Sequence, residues 1–251
     1  MDMPKIVAMF RLKNEERWIE KSLKHASSIC EEIVVLDDGS TDDTVKICKS
    51  FENVVDIHQQ NGVPFDDSRD KNTLLKMALK RKPDFILTLD GDQILQHNAK
   101  EILLEEINVL YPDSAVFEFQ QLLIWDKPNQ YRYDGILGYT WIKKLVRISK
   151  QPKDLHFEGT DYPGNAHCPH IPQNVVGSSN SVRSKMKIFH YGYYDEKLRQ
   201  KKYNYYMKTQ PSPVEFDNYK HMLSGKGSKF SISDGLEFRT LPEGTYIKDI
   251  R

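Results

Sequence analysis

Two short apolar runs that each end in acids constrain this chain more than any other feature: IVVLDDGSTDDT at residues 33–44 and FILTLDGDQ at residues 85–93. Each opens on β-branched and aliphatic residues over the length of a buried strand, and acids take over where such a strand reaches solvent. Acids so placed stand at strand carboxyl ends. In an open α/β sheet, that edge is where ligands bind.

Around these runs the chain alternates. Lys5 to Arg11, Glu32 to Leu36, Asn53 to His58, Asp84 to Leu89 and Ser114 to Trp125 have the composition of strands. Helical spacings lie between them. Asn14 is the expected N-cap of a helix with Glu15 and Glu16 in its first turn and Trp18, Ile19, Leu23 and Ala26 on its apolar face. A second, short helix from Thr41 on carries Val45, Ile47 and Cys48, and a third runs from Asp70 to Arg81 before Pro83. A capping-box pattern at Asn98 and Glu101 opens a fourth, reaching Leu110. This order predicts an α/β fold with a mainly parallel central sheet flanked by helices on both faces.

The pattern changes at Asp126. Trp125, Tyr131, Tyr133, Tyr139 and Trp141 punctuate an expected hairpin region that leads into the strand candidate Trp141 to Ile148. These aromatic rings suit hairpin packing and stacking on a sugar equally well. Residues 150–183 are rich in Pro and Gly and have the chemistry of a long loop, which in a compact domain is a lid or binding loop or else disordered. Met186 to Tyr191 is the last expected strand, Asp195 to Lys208 a polar helix, and the tail after Pro211 shows no strong pattern. The chain thus divides at 1–125, 126–210 and 211–251.

With 251 residues, the chain can bury roughly 70 to 75% of its unfolded surface, enough for a real core and an internal cleft. The 36 basic residues balance the 36 acidic ones, so no overall field draws the protein to nucleic acid or an anionic membrane. An odd set of three cysteines, Cys30, Cys48 and Cys168, with no apolar leader ahead of them, leads us to expect a reducing, cytoplasmic setting. No apolar stretch reaches the ~18 residues of a membrane span, so no transmembrane segment is expected.

The acids carry the chemistry. Asp90 and Asp92 are two apart, which on an extended backbone puts both side chains on one face, where two ionised carboxylates repel unless a cation lies between them. Carboxylate oxygens suit hard ions such as Mg²⁺ or Mn²⁺, whose open positions phosphate oxygens can fill. Asp37 and Asp38 end another strand and suit base and ribose donors, with the Gly39-Ser40 turn letting the backbone approach a ligand. The plain reading of DDGST is a helix start capped by its own acids and serine.

In order, FRLKNEERWIEKSLKH, EIVVLDDGSTDDT, SRDKN and FILTLDGDQ resemble the nucleotide-sugar half of the family 2 glycosyltransferases with the GT-A fold. The resemblance covers residues 4 to 95 and implies a nucleotide-sugar-binding half at 1–125 and a loop-rich acceptor-binding half at 126–210. It implies that Arg11 and Glu15 lie beside the nucleotide and that Asp38 contacts base or ribose, with Asp37 and Ser40 as neighbours. Asp90 and Asp92 match the two acids of a DxD motif, the first near ribose and metal, the second a direct ligand of Mn²⁺ or Mg²⁺. Arg69 matches a basic position near the donor, or is a solvated loop arginine. FHYGYYDEKLRQKKYNYY resembles a histidine-centred segment of relatives, so His190 is a candidate third metal ligand or a structural histidine. Arg147, in WIKKLVRIS, is either structural or turned toward phosphate.

The implied reaction is an inverting transfer from a UDP- or GDP-sugar to a hydroxyl of a glycan or small-molecule acceptor. It needs a base. Location in the Gly/Pro loop LHFEGTDYPG puts Glu158 first and Asp161 second, with His156, His167 and His170 as competitors. The run His167-Cys168-Pro169-His170 is a weaker zinc candidate, lacking a second ligand pair. Two other classes stay open: a phosphoryl-transfer or hydrolase enzyme using the DxD acids, and a silent relative that only binds nucleotide or glycan. Against the former, LDGDQ lacks a Thr after the acids and DDGST would go unexplained.

Overall fold

The computed structural model describes residues 4–133, 140–159, 168–209, 222–223 and 237–243. The chain opens with β1 (Ile6–Leu12), α1 (Ile19–Ala26), β2 (Glu32–Asp37), α2 (Thr44–Lys49), β3 (Val54–Gln59), α3 (Asp67–Lys80) and β4 (Phe85–Asp90). Then come β5 (Gln93–Leu95), α4 (Ala99–Glu105), β6 (Val116–Leu123), β7 (Gln130–Arg132), β8 (Thr140–Arg147), β9 (Val182–His190), α5 (Glu196–Thr209) and β10 (Phe238–Thr240). Among the described residues, eight strands form one sheet in the order β3-β2-β1-β4-β8-β6-β9-β5.

The sheet is mixed and mostly parallel, with helices on its faces. β1, β2, β3 and β4 run parallel, β8 is antiparallel to β4 and to β6, β9 is parallel to β6, and β5 is antiparallel to β9. Strands from both sides of residue 125 therefore belong to one sheet. β1 shows why the first strands are parallel. Its residues are buried on both faces, as in a strand covered by helices on each side. Ile6, Ala8, Phe10 and Leu12 enter one apolar cluster with Leu23 and Ala26 of α1 and Leu103 of α4. Val7 and Met9 point the other way, to Leu74, Leu75 and Ala78 of α3. Each fully buried aliphatic or aromatic side chain in these layers contributes about 1.5–3 kcal/mol. β3, at the sheet edge, is only half-buried or exposed along its length.

Three local expectations change. Asn14 does not cap α1, which starts at Ile19. Its φ is 55°, its backbone N–H donates to Ser40 Oγ at 2.8 Å, and its side-chain oxygen accepts from Thr41 N at 2.8 Å. Asn14 is thus spent on the DDGST turn. Asn98 precedes α4 without a side-chain cap bond, and the helix widens into a π-helical turn at Glu106–Leu110. There the buried Glu106 carboxylate accepts from Ser184 Oγ at 2.6 Å and Lys185 N at 2.7 Å. The expected hairpin region keeps an antiparallel bridge of Ile124 with Tyr131 and a Trp125 N bond to Gln130 O at 2.9 Å, but β7 also pairs with β10 from the tail, and β8 joins the main sheet. Three-residue strands are too short for periodicity to show them.

Candidate functional site at the strand ends

β1, β2 and β4 end side by side, with Leu12 opposite Asp37 and Arg11 opposite Asp90. This shared edge opens into a cavity of about 310 Å³ whose walls include Arg11, Lys13, Glu15, Asp38, Asp92 and Lys202. Two carboxylate clusters face it.

The first is built on Asp38 and Asp70. Arg11 donates through Nε to Asp70 at 2.8 Å and through Nη2 to Asp38 at 2.9 Å, and its guanidinium lies 4.4 Å from the centre of the Phe65 ring. Gln60 Nε2 bridges the same two acids at 3.0 and 3.1 Å, and Lys13 Nζ approaches Asp38 at 3.4 Å. Arg69 closes the cluster on Asp70 at 2.7 Å. Asp38 therefore meets three donors. With about four lone-pair sites on a carboxylate, it keeps capacity for one more. Asp37, in contrast, is buried and accepts the Ser40 N–H at 3.2 Å, and Ser40 Oγ holds Asn14. Both roles belong to the turn.

The second cluster is built on Asp92, drawn from the β4–β5 turn, β9 and α5. One oxygen, Oδ2, faces His190 Nε2 at 3.2 Å and accepts from Lys202 Nζ at 3.1 Å. Burial alone pushes the Asp92 carboxyl up, but the His190 and Lys202 charges outweigh it and hold the group far below the ordinary carboxylate range. Asp90 points elsewhere. Its Oδ2 accepts from Gln93 Nε2 at 2.7 Å and lies 3.8 Å from Lys144 Nζ. Burial raises the Asp90 carboxyl and Lys144 and His170 pull it down, to about 2. Burial pushes the Lys144 ammonium down to about 8 against the pull of Asp90, and Lys144 also contacts His170 Nδ1 at 3.2 Å.

A chain of hydrogen bonds joins the two acids. Gln93 Nε2 donates to Asp90 and also to Gln121 Oε1 at 3.0 Å, and Gln121 Nε2 meets His190 Nδ1 at 3.3 Å. Because a carboxylate only accepts, Gln93 Nε2 donates to Asp90, and the chain ends on the His190 ring, whose other nitrogen faces Asp92. Glu15 packs beside Gly91, where a Cβ would lie 2.7 Å from Glu15 Cγ. Burial pushes the Glu15 carboxyl well above its usual range, Asp92 adds to this, and Lys202 opposes it.

Contacts around the start of α5 set its lysine in place. Asp195 accepts from Leu198 N at 2.8 Å and from Arg17 Nη1 at 2.5 Å, while Arg199 Nη1 donates to Asp126 at 2.9 Å and to Tyr193 O at 3.0 Å. Lys202 lies one turn beyond, 4.7 Å from the Tyr193 ring centre.

Asp92 and His190 converge and are of the donor types that divalent ions take, which fits a metal held with open positions for phosphate and water. Among the described residues, no group of three or more His, Cys, Asp or Glu gathers as a metal set. Glu158 is exposed and accepts from His156 Nε2 at 2.9 Å. It is not among the described residues lining the cavity. The backbone oxygen of Asp154 and the Glu158 carboxylate both hold His156 toward its protonated form. Asp161 and His167 lie outside the described residues, as does Tyr139. Arg147 Nε donates to Ser114 O at 3.0 Å and its guanidinium sits 4.4 Å from the Phe85 ring centre, so it is a packing residue.

Lys202, Asp70, Gln60, Gln93 and Gly192 were not singled out in the sequence. A signal existed for Asp70. Asp67, Asp70, Lys71, Leu74, Leu75 and Ala78 share one buried face of α3, so helical spacing alone carries the charged residues inward.

A mixed sheet whose parallel strands end at a carboxylate-lined cavity defines an α/β protein with a ligand-sized cleft at its strand ends. The profile of Glycosyl transferase family 2 matches residues 12–160, more than half of the chain. The chain belongs to glycosyl transferase family 2.

Among curated proteins, an uncharacterized protein of Mycobacterium tuberculosis is 24% identical over 220 residues, covering 82% of this chain and 51% of the relative. The prophage-derived glycosyltransferase SunS of Bacillus subtilis is 27% identical over 192 residues, covering 76% of this chain and 40% of SunS. The chain thus spans about half the length of these relatives or less. Among solved structures, S. aureus TarS aligns with TM-score 0.46 at 14% identity, over 87% of this chain and 70% of that one. A Mycobacterium tuberculosis glucosyl-3-phosphoglycerate synthase, solved with Mn²⁺, UDP and glucosyl-3-phosphoglycerate, aligns with TM-score 0.31 at 20% identity, over 49% of this chain and 44% of that one. No helix among the described residues is long and apolar enough to cross a membrane.

Proposed function

We propose that this chain transfers a sugar from a nucleoside-diphosphate sugar, UDP- or GDP-linked, to a hydroxyl of a glycan or small-molecule acceptor, in one inverting displacement assisted by Mn²⁺ or Mg²⁺. The observation that carries this is a single cavity, about 310 Å³, with the Asp38–Arg11 cluster on one wall and Asp92 on another. That volume falls in the range of small-ligand sites, about 300–1,000 Å³.

Asp38 keeps an acceptor position for a base or ribose donor, with Asp37 and Ser40 bracing its turn and Arg69 bracing Asp70 behind Arg11. Arg11 and Lys13 bring positive charge to the same wall, and Arg17, Lys201 and Lys202 bring it to the wall formed by α1 and α5. An anionic diphosphate matches this lining. Asp92 would hold the divalent ion, with His190 beside it and Asp90 held back by Gln93 and Lys144. That ion would supply charge neutralisation for the leaving diphosphate. Glu158, then Asp161, is assigned the acceptor proton. Replacing Glu158 with Gln tests this: turnover falls sharply if the assignment holds, and full turnover removes it.

Thermal unfolding with UDP, GDP and their sugar conjugates, with and without Mn²⁺, tests the whole reading. A nucleoside diphosphate should raise the transition markedly more with Mn²⁺ than without, and D92N should erase the difference. Sugar release from the stabilising conjugate then separates an enzyme from a silent binder. No stabilisation by any of them would overturn the proposal.

A further inference from the structure

We propose that Lys202 is a tethered counter-cation of the DxD turn, which competes with a divalent ion for the Asp92 carboxylate and so sets how tightly the protein binds metal. This inference rests on the metal reading above and adds to it a residue from the far end of the chain.

The geometry is specific. Lys202 Nζ lies 3.1 Å from Asp92 Oδ2, the same oxygen that faces His190 Nε2 at 3.2 Å. Asp92 is only 5% exposed, so a positive group on this oxygen offsets much of the cost of burying the charge. A divalent ion on the same carboxylate would lie within a few ångströms of the Lys202 ammonium, and the two positive charges repel. Binding of the ion is therefore opposed by Lys202 and favours its moving away.

Three features show that the placement is built. Arg199, one turn earlier on α5, is held by Asp126 and by the Tyr193 and Tyr194 carbonyls at 2.9 to 3.2 Å. The ring of Tyr193 lies under the Lys202 ammonium, 4.7 Å from centre to Nζ. Residue 192 is glycine where a Cβ would overlap both Lys202 Nζ and Asp92 Oδ2 and come within 2.8 Å of His190 Nε2. The chain leaves out a side chain at the spot where lysine, aspartate and histidine meet. Once moved, Lys202 stays tethered in the cavity wall with Lys201 and Arg17, facing any bound anion. The lysine thus trades an acid for an anionic ligand.

The test measures Mn²⁺ binding to the full chain without nucleotide, by calorimetry or by loss of the free-ion paramagnetic resonance signal. The set is wild type, K202M, K202R and D92N. Methionine keeps the stem and removes the charge, and arginine keeps the charge, so a folding defect and a charge effect separate. Loss of an adjacent unit charge should tighten Mn²⁺ binding about tenfold in K202M, with K202R close to wild type and D92N showing no such site. Equal, Asp92-dependent affinity in wild type and K202M would overturn the competition and leave the metal reading standing. Absence of Asp92-dependent binding in both would overturn the metal reading, and this inference with it.

Discussion

The two carboxylate clusters that face one cavity are neutralised in opposite ways. Asp38 and Asp70 are held by Arg11 and Arg69, planar, permanently charged groups that hydrogen-bond through more than one nitrogen, and by the bridging amide of Gln60. Asp92 is held by an imidazole and by a single lysine ammonium on a flexible stem. Arginine forks suit fixed architecture, and a lysine point charge is easily exchanged. The first cluster is therefore a rigid wall, and the second is where a cation can be swapped.

The sharpest way to break this contrast is D92N. Removing the charge that would hold the ion should lower sugar transfer roughly 10³-fold, since Lewis-acid assistance is worth several kcal/mol. Initial rates at saturating donor check it. An unchanged rate would put the chemistry elsewhere. D70A should behave in the reverse sense. Asp70 is fully buried, and its loss takes from Arg11 and Gln60 one of their two shared acceptors and from Arg69 its carboxylate partner, which should cost about 3 kcal/mol in urea unfolding. A D70A protein as stable as wild type would deny the wall its rigidity.

G192A gives a smaller effect and probes the exchangeable cluster from its backbone. The added methyl group overlaps the Asp92 oxygen itself as well as Lys202 and crowds His190, and the lost room at the carboxylate outweighs release of the lysine, so Mn²⁺ affinity should fall, with an overpacking cost of about 1–3 kcal/mol. Unchanged Mn²⁺ affinity in G192A would mean that the close approach there serves packing alone.

The smallest effect is expected away from the cavity. Glu32 pairs with Arg81 through both carboxylate oxygens, at 2.7 and 2.8 Å. The Arg81 bonds lower the Glu32 carboxyl to about 2 from an ordinary 4.5, against a smaller upward push from burial. A folded-state value below the unfolded one means stability present above about pH 4.5 and lost as pH falls toward 2. The stability gap between wild type and E32Q should be small near neutral pH and close on acidification. A gap that widens in acid would contradict the sign.

The parallel half was legible because β1, β2 and β4 are buried on both faces and each carries its own apolar run, so order and type follow from local composition. The acids that end β2 and β4 stood out for the same reason. What surrounds them was less legible. His190 came into view only through resemblance, and Lys202 lies 110 residues from Asp92 on a helix where lysines are common and mostly solvated. Nothing local marks one of them as an ion-pair partner. Asp70 was passed over for its neighbour Arg69, although the spacing of α3 places Asp70 on the buried face. The pairing of β7 with β10 could not be read either, because three-residue strands have no period.

The central claim is that Asp92 holds the cation beside a diphosphate in the cavity bounded by Asp38. Crystals grown with Mn²⁺ and UDP or GDP, measured at a wavelength sensitive to manganese, test it directly. The expected result is one anomalous peak on the Asp92 carboxylate, with phosphate density beside it and Lys202 moved off that oxygen. A map with no manganese at Asp92, nucleotide outside the cavity, and Lys202 still on Asp92 would contradict it.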